Sequence, residues 1–204
     1  MITVGVVLGA GTSRRLGRPK QTLPVGNDTV LGRALACANA SQLDRVVLVV
    51  GGAADEALAS MAVGRAEVAF NDTYGEGCAS SLLAGLDLAG VCDGIMLLLG
   101  DMPTLEPGTV DRFLKYVTTH RPWAAVTSYQ GTVGHPFYFS ANAFGRLRLL
   151  HGDKAVWKIV DEEPESRIPR VPIDAPLPPD IDTWHDYQAI LDELGLAAPI
   201  GLIP

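Results

Sequence analysis

The chain has 204 residues, of which 48% are hydrophobic and 19% are charged, and its formal net charge is −7. A chain of this length and composition can bury one substantial core, which excludes a disordered protein. The acidic balance also argues against a nucleic-acid partner, because such proteins need a basic surface to neutralise phosphates.

Cysteine usage and hydropathy narrow the class of protein further. The three cysteines show no Cys-x-x-Cys spacing, which argues against a disulfide framework and against a structural zinc site. The apolar runs are too short to cross a bilayer, and the first residues lack the charged region and the cleavage site of a signal peptide. We therefore predict a cytoplasmic protein without a membrane partner.

Apolar strand patterns alternate with helical patterns along the chain. The predicted strands are 2–8, 45–50, 66–70, 95–99, 123–127, 136–139 and 168–172. The predicted helices are 29–40, 53–61, 80–89, 107–119, 141–150, 154–160 and 184–194. This alternation predicts an α/β protein with a three-layer α/β/α, Rossmann-like fold and a mostly parallel sheet. Ligands of such sheets bind beyond the carboxyl ends of the strands, which here means after Leu8, Phe70 and Leu99.

A glycine-rich turn with basic residues follows the first predicted strand. Gly9 and Gly11 would let the backbone approach a phosphate closely, while Arg15 and Lys20 supply positive charge. A dinucleotide fingerprint would need glycine where Arg14 stands, and the Gly-Lys-Ser/Thr of a Walker loop is missing. We interpret the segment as a phosphate-binding turn; the alternative is an ordinary turn with solvated arginines.

Two acidic segments could hold a metal ion. Asp101 directly follows a predicted apolar strand, and Asp182 lies just before the last predicted helix. Carboxylates suit Mg²⁺, which usually takes one or two of them together with substrate phosphates and water. The alternative for Asp101 is turn capping, and the alternative for Asp182 or its neighbour Thr183 is N-capping of the helix.

Two further regions carry small polar residues and histidines. Asn71, Ser80 and Ser81 lie between a predicted strand and a predicted helix, where they could hydrogen-bond a base or a ribose; helix capping is the alternative for the serines. The segments Gly134-His135-Pro136 and His151-Gly152-Asp153-Lys154 lie in the less regular part of the chain, where an acceptor pocket is expected. The alternative for His135 is a structural hydrogen bond.

Taken together, these segments resemble the molybdenum cofactor cytidylyltransferases and the related MobA-like nucleotidyltransferases. The resemblance extends from residue 2 to about residue 187, and its motifs occur in the family's order. The matching segments are Leu8 to Pro24, Asn71 to Ser81, Gly100 to Pro103, Gly134 to Pro136, Gly152 to Lys154, and Asp180 to Thr183.

The resemblance implies a role for each matched residue. The residues that would line the nucleotide are Leu8, Gly9, Ala10 and Gly11, with Asn71, Ser80 and Ser81 at its base or sugar. Lys20, Arg15 and Asp101 would be catalytic, the two cations on the phosphates and Asp101 with Asp182 holding Mg²⁺. His135, Gly152 and Asp153 would bind the acceptor. Residues 1–194 would form one domain, with a nucleotide-binding half (1–128), an acceptor-binding half (129–194) and a tail (195–204).

The activity that the resemblance implies is Mg²⁺-dependent transfer of a nucleoside monophosphate from an NTP to a molybdopterin-type acceptor, with a transient contact to a molybdoenzyme or its chaperone. Ala10 favours CTP, because guanylyltransferase relatives carry glycine there. Gly9 and Met102 depart from the cytidylyltransferase pattern at the base side, and Ala155 departs from it at the acceptor side. The alternatives are a sugar- or polyol-phosphate nucleotidyltransferase and a non-catalytic nucleotide-binding maturation factor.

Overall fold

The computed structural model describes residues 1–153, 155–199 and 201–202, so Lys154 of the acceptor motif lies outside the described residues. The strands are β1 Thr3–Leu8, β2 Pro24–Val25, β3 Asp28–Thr29, β4 Arg45–Val50, β5 Glu67–Phe70, β6 Gly94–Leu99, β7 Ala124–Tyr129, β8 Thr132–Ser140 and β9 Arg170–Ile173. The helices are α1 Val30–Ala40, α2 Ala54–Ala59, α3 Cys78–Ala89, α4 Pro107–His120, α5 Phe144–Leu147, α6 Ala155–Glu162 and α7 Trp184–Glu193.

Seven strands form one sheet in the order β5-β4-β1-β6-β8-β7-β9. The strands β5, β4, β1 and β6 are parallel to one another, and β9 is parallel to β7. Only β8 among these described strands runs antiparallel to its neighbours, β6 and β7. Strands β1, β4 and β6 are continuous apolar runs because helices cover both faces of the sheet there.

Helices pack on both faces of the sheet and complete three layers. On one face the sheet packs against side chains of α3 and α6, such as Leu82 and Ile159. On the other face it packs against α1 and α4, through side chains such as Leu35 and Phe113. Burying a side chain of this size contributes about 1.5–3 kcal/mol, so these two interfaces supply the main hydrophobic stabilisation. The predicted three-layer, mostly parallel fold is confirmed.

Two helices begin where the sequence contains a good cap. Thr29 caps α1, and its Oγ1 accepts a hydrogen bond of 3.0 Å from the Gly32 amide. Thr183 caps α7 in a capping box with Asp186. The cap of α7 is therefore Thr183 and not Asp182, which leaves the Asp182 carboxylate available for other contacts.

Several predicted boundaries in the second half of the chain are wrong. Strand β8 is longer than the predicted segment 136–139, because pairing with both neighbours draws Gly134 and His135 into the sheet. The predicted helix 141–150 is replaced by a 3-10 turn and the four-residue helix α5. No helix of the described residues is long and apolar enough to cross a membrane.

Candidate active site

The carboxyl ends of the parallel strands meet at one edge of the sheet. Leu8 is the last residue of β1, and it pairs with Val49 of β4 on one side and with Leu99, the last residue of β6, on the other. Strand β5 ends at Phe70 beside β4. The turn after β1, the loop after β5 and the segment after β6 therefore lie at the same edge, as the alternation of strands and helices predicts.

The turn after β1 is held in place by Gln21, a residue that the sequence analysis did not single out. The Gly9 amide donates to the Val49 carbonyl over 2.8 Å, which fixes the start of the turn. The buried Gln21 side chain donates from Nε2 to the carbonyls of Gly9 and Gly11, over 2.9 and 2.7 Å. In the sequence Gln21 is a single amide side chain directly after Lys20, and this pattern is too weak to predict a role for it. Because both carbonyls are occupied, the turn has one defined backbone conformation.

Lys20 reaches from this turn to the acidic segments after β6 and before α7. Its Nζ donates to Asp101 Oδ2 over 2.6 Å, to the Ile181 carbonyl over 2.6 Å, and to Asp182 Oδ1 over 3.1 Å. The Lys20 and Asp101 side chains are only 13% and 20% exposed, so this ion pair lies largely out of water. Lys20 and the two carboxylates, which lie 81 and 162 residues after it in the chain, form one cluster.

Arg15 joins the same cluster from the solvent side. Its Nη1 lies 2.6 Å from Asp182 Oδ2, and both side chains are well exposed. An exposed ion pair of this kind is worth roughly 0–1 kcal/mol, because water and salt screen it. Asp182 thus contacts Lys20 with one oxygen and Arg15 with the other. The four predicted charged residues are thus linked by three ion pairs, in the order Asp101, Lys20, Asp182 and Arg15.

Burial controls the ionisation of the buried pair. Burial raises the pKa of Asp101 above its ordinary value, and the charge and hydrogen bond of Lys20 counteract this. Burial by itself would lower the pKa of Lys20, but Asp101 and Asp182 outweigh it and the pKa is raised. Lys20 is therefore charged at neutral pH, and its charge favours the ionised form of the buried Asp101 carboxyl group.

The carboxylate cluster has the donor set of a divalent cation site. Oxygens of Asp101, Asp180 and Asp182 all lie within 4.8 Å of one another. Oδ1 of Asp101 is buried and has no hydrogen-bond partner among the described residues, so it is free to accept a ligand. Three hard oxygen donors fit Mg²⁺ or Mn²⁺. Asp180 begins the matched segment that ends at Thr183 but had no predicted role, and the structure adds it to the cluster.

Asn71 organises the loop after β5. Its Nδ2 donates to the hydroxyls of Ser80 and Ser81, over 2.9 and 3.0 Å, and its Oδ1 accepts from the amide and the hydroxyl of Thr73. The Asn71 and Ser81 side chains are buried, whereas Ser80 is partly exposed. Asn71 is thus occupied with contacts inside the protein. Ser80 Oγ also donates to the carbonyls of Thr73 and Gly77, but Ser80 is partly exposed and so is the member of this group that a ligand can reach.

The loop around Gly152 packs on the first turn of α3. The Ala79 amide donates to the Gly152 carbonyl over 3.2 Å, and the Cys78 amide donates to Asp153 Oδ1 over 3.2 Å. Asp153 therefore satisfies one of the free amides at the start of α3, a role that its sequence position, 75 residues away, does not reveal. The predicted acceptor segment and the predicted base-binding loop are neighbours.

A cleft of about 350 Å³ opens between these two segments. Asn71, Ser80, His151 and Gly152 are among its lining residues, with the carboxylates of Glu76 and Asp87. A second cleft, of about 450 Å³, is lined by Asp93 and Trp123. Those residues directly precede β6 and β7, so the larger cleft lies at the opposite edge of the sheet, away from the carboxylate cluster.

His135 and Cys78 do not have the properties of reacting groups. The His135 ring is buried, stacks on Phe137 at a centroid distance of 4.0 Å, and has its Nδ1 3.3 Å from the Leu97 carbonyl. Burial lowers the pKa of His135 to about 4, so its ring is neutral at neutral pH. Burial likewise raises the pKa of the Cys78 thiol to about 11, which leaves little thiolate. His135 is better placed to support the sheet beside β6 than to reach a ligand.

Comparisons with known proteins agree with this geometry. Residues 5–168 match the family described as MobA-like NTP transferase domain. The chain is 30% identical to the Purine catabolism protein PucB of Bacillus subtilis (strain 168) over 167 residues, which cover 77% of this chain and 80% of PucB. Its structure is similar to that of Rv0371c from Mycobacterium tuberculosis H37Rv, with a TM-score of 0.83, 40% identity, and 94% and 98% of the two chains covered. For the complex of Rv0371c with manganese, the TM-score is 0.78 at 36% identity, with 94% and 99% covered.

Proposed function

Because the chain belongs to the MobA-like NTP transferase domain family and is a nucleotidyltransferase, we propose that it transfers CMP from CTP to a phosphorylated, molybdopterin-type acceptor. The transfer uses Mg²⁺ and releases pyrophosphate. The acceptor and the transient contact with a molybdoenzyme or its chaperone follow from the resemblance of the motifs. The family assignment by itself supports nucleotidyl transfer, without specifying the base or the acceptor.

One observation carries the proposal. The two cations of the glycine-rich turn and the two carboxylates from distant segments meet within hydrogen-bond distance at the ligand edge of the sheet. A nucleoside triphosphate with a divalent cation requires both signs of charge in one place, the cations for phosphate oxygens and the carboxylates for the metal. Lys20, Arg15, Asp101 and Asp182 provide this combination.

The remaining residues are assigned around this centre. Leu8, Gly9, Ala10 and Gly11 line the nucleotide, since they lead from β1 into the turn. Ser80 contacts the base or the sugar, while Asn71 and Ser81 hold that loop in shape. Gly152 and Asp153, which pack on the first turn of α3, form the acceptor side. The halves 1–128 and 129–194 would then divide nucleotide binding from acceptor binding within one continuous sheet.

The proposed reaction is an in-line displacement at the α-phosphorus. An acceptor phosphate oxygen forms the new P–O bond, and the bond from the α-phosphorus to the oxygen that bridges it to the β-phosphorus breaks, with its electron pair leaving on pyrophosphate. The attacking phosphate is already ionised near neutral pH, so no general base is needed. Lys20 and Arg15 neutralise charge on the phosphate oxygens, and the turn positions the triphosphate. Bound Mg²⁺ would supply Lewis-acid stabilisation of the same charge.

One observation supports a divalent metal ion, and another supports cytosine as the base. One of the related Rv0371c structures is a complex with manganese, which supports the use of a divalent cation by this chain. Asp101, Asp180 and Asp182 would hold it, because their oxygens are the ones that converge. Ala10 lies buried between Gly9 and Gly11 of the glycine-rich turn. The resemblance to cytidylyltransferases, which carry alanine there, supports CTP as the nucleotide substrate.

The test is a pyrophosphate-release assay with CTP, GTP, ATP and UTP in Mg²⁺, in which each NTP is paired with a molybdopterin-type acceptor or with sugar and polyol phosphates. We expect the largest rate with CTP and the pterin acceptor. Lys20→Met should reduce the rate by about 100-fold or more, because a preorganised charge is lost. Arg170→Met is the matched control, since Arg170 is exposed and pairs only with Glu165 in the described residues. Release with sugar phosphates alone would identify the other acceptor class, and no release with any NTP would contradict the proposal.

A further inference from the structure

The cations proposed to bind phosphate are bonded to the carboxylates proposed to bind the metal. Lys20 contacts Asp101 and Asp182, and Arg15 contacts Asp182. In this arrangement the positive charges of the turn neutralise the acidic cluster directly. A divalent cation and a triphosphate need several of the same groups as partners, so their full binding competes with these contacts.

Lys20 has no donor left for a phosphate in this arrangement. An ammonium group has three N–H donors. The three acceptors within 3.1 Å of Nζ are Asp101 Oδ2, the Ile181 carbonyl and Asp182 Oδ1, all of them protein oxygens. To contact an NTP, Lys20 must therefore give up at least one of these oxygens. The buried Asp101 carboxylate would then need another cation, because an unpaired buried charge is costly.

The acidic cluster is held by the backbone, whereas the Lys20 ammonium group is held only by its hydrogen bonds to three protein oxygens. The Ile181 amide donates to the Asp101 carbonyl over 3.1 Å, which fixes the segment before α7 against the end of β6. The capping box of Thr183 and Asp186 fixes the other end of that segment. A lysine side chain has a flexible four-carbon stem, so Lys20 can turn away once another cation replaces its charge beside Asp101. Departure of Lys20 would thus leave the carboxylates in place for a metal.

We infer that Lys20 is the resident counter-ion of Asp101 and Asp182, and that a divalent cation and the NTP phosphates displace it together. This inference rests on the proposed function of the site. The metal alone must compete with Lys20 for the carboxylates, and the NTP alone must compete with the carboxylates for Lys20. When both bind, each ligand relieves the competition that the other meets. Metal and NTP therefore raise each other's affinity by the same factor.

The test measures Mn²⁺ binding to the whole chain in the absence of any NTP, by the electron paramagnetic resonance signal of free Mn²⁺. Lys20→Met should bind Mn²⁺ at least about tenfold more tightly than the unmodified chain, because a competing charge in contact with the carboxylates is removed. Arg18→Met is the matched control: Arg18 is exposed in the same turn and screened by solvent, so its removal should change the affinity by less than about twofold. Lys20→Met with Asp101→Asn should lose the gain.

Thermal unfolding and the pyrophosphate-release assay make the result decisive. Thermal unfolding shows whether each variant is folded, and Lys20→Gln is used in its place if Lys20→Met is unfolded. Equal or weaker Mn²⁺ binding by the folded Lys20 variant would overturn the inference, as would an equal gain in Arg18→Met. If that happens while the unmodified chain still releases pyrophosphate from CTP, only the exchange is wrong and the proposed function stands. A gain in Mn²⁺ affinity without pyrophosphate release from any NTP would support the exchange and contradict the proposed function.

Discussion

Gly77 and Gly152 are in such close contact that a Cβ atom on Gly77 would lie 2.6 Å from the carbonyl carbon of Gly152. Gly77 directly precedes α3, and its φ of 105° lies in the region that favours glycine. The contact joins the loop after β5 to the loop around Gly152, which come from different halves of the chain. It also brings Asp153 to the first turn of α3.

We expect Gly77→Ala to separate the two loops. The added methyl group would collide with backbone, which cannot move as a side-chain tip can, and the positive φ adds strain. The free energy of unfolding should fall by about 1–3 kcal/mol, measured by urea denaturation, and the KM for the acceptor should rise. Gly75→Ala is the control in the same loop, because a Cβ there would meet nothing within 4 Å. Equal stability of both variants would show that this contact is not important.

Asn71→Ala should loosen the loop that carries Ser80 and Ser81. The substitution removes two hydrogen bonds to the serine hydroxyls and two from Thr73, at a buried position. We expect a loss of about 1–3 kcal/mol in the free energy of unfolding and a higher KM for the NTP. Asn142→Ala, at an exposed position, serves as the control. An unchanged KM together with reduced stability would mean that the loop does not contact the nucleotide.

Neutral substitutions of the three clustered carboxylates should reduce turnover in order of their burial. Asp101→Asn should cost about 100-fold or more in kcat at saturating Mg²⁺, because a metal-binding charge in a largely buried place is lost. Asp182→Asn and Asp180→Asn should cost less, since both residues are exposed. Asp174→Asn, an exposed carboxylate outside the cluster, should retain full activity. Normal turnover of Asp101→Asn would exclude this carboxylate as a metal ligand.

His135 should make the folded chain less stable as the pH falls. Its pKa is about 4 in the folded chain against an ordinary value of 6.5, so the unfolded chain takes up the proton first. The stabilisation is complete above about pH 6.5 and is lost as the pH falls toward 4, by about 3 kcal/mol in total. Urea denaturation at pH 7 and pH 4.5 measures this loss. His135→Phe keeps the stacking on Phe137, and its smaller loss over the same interval isolates the histidine; equal losses would contradict the prediction.

The regular part of the fold was predictable because its signal is local. The apolar runs of β1, β4 and β6 and the helical patterns between them follow from periodicity, and their alternation implies a parallel sheet. Strand β8 was predicted too short, since its length depends on pairing with β6 and β7, which no short segment records. The prediction of a helix over 141–150 was wrong for a related reason, because tertiary packing overrides weak helical propensity.

The sequence by itself determined which chemical groups are present, namely the basic turn of Arg15 and Lys20 and the acidic residues Asp101 and Asp182. It also placed Lys20 and Asp101 after strands of one sheet. Only the tertiary structure decided how these groups pair. Distances between residues 81 to 167 positions apart depend on sheet order and on backbone contacts such as that of Ile181 with Asp101. The same holds for Asp180 and Asp153, whose roles arise from contacts with distant segments. A hydrogen bond requires atoms within about 3 Å, and only the folded chain brings them that close.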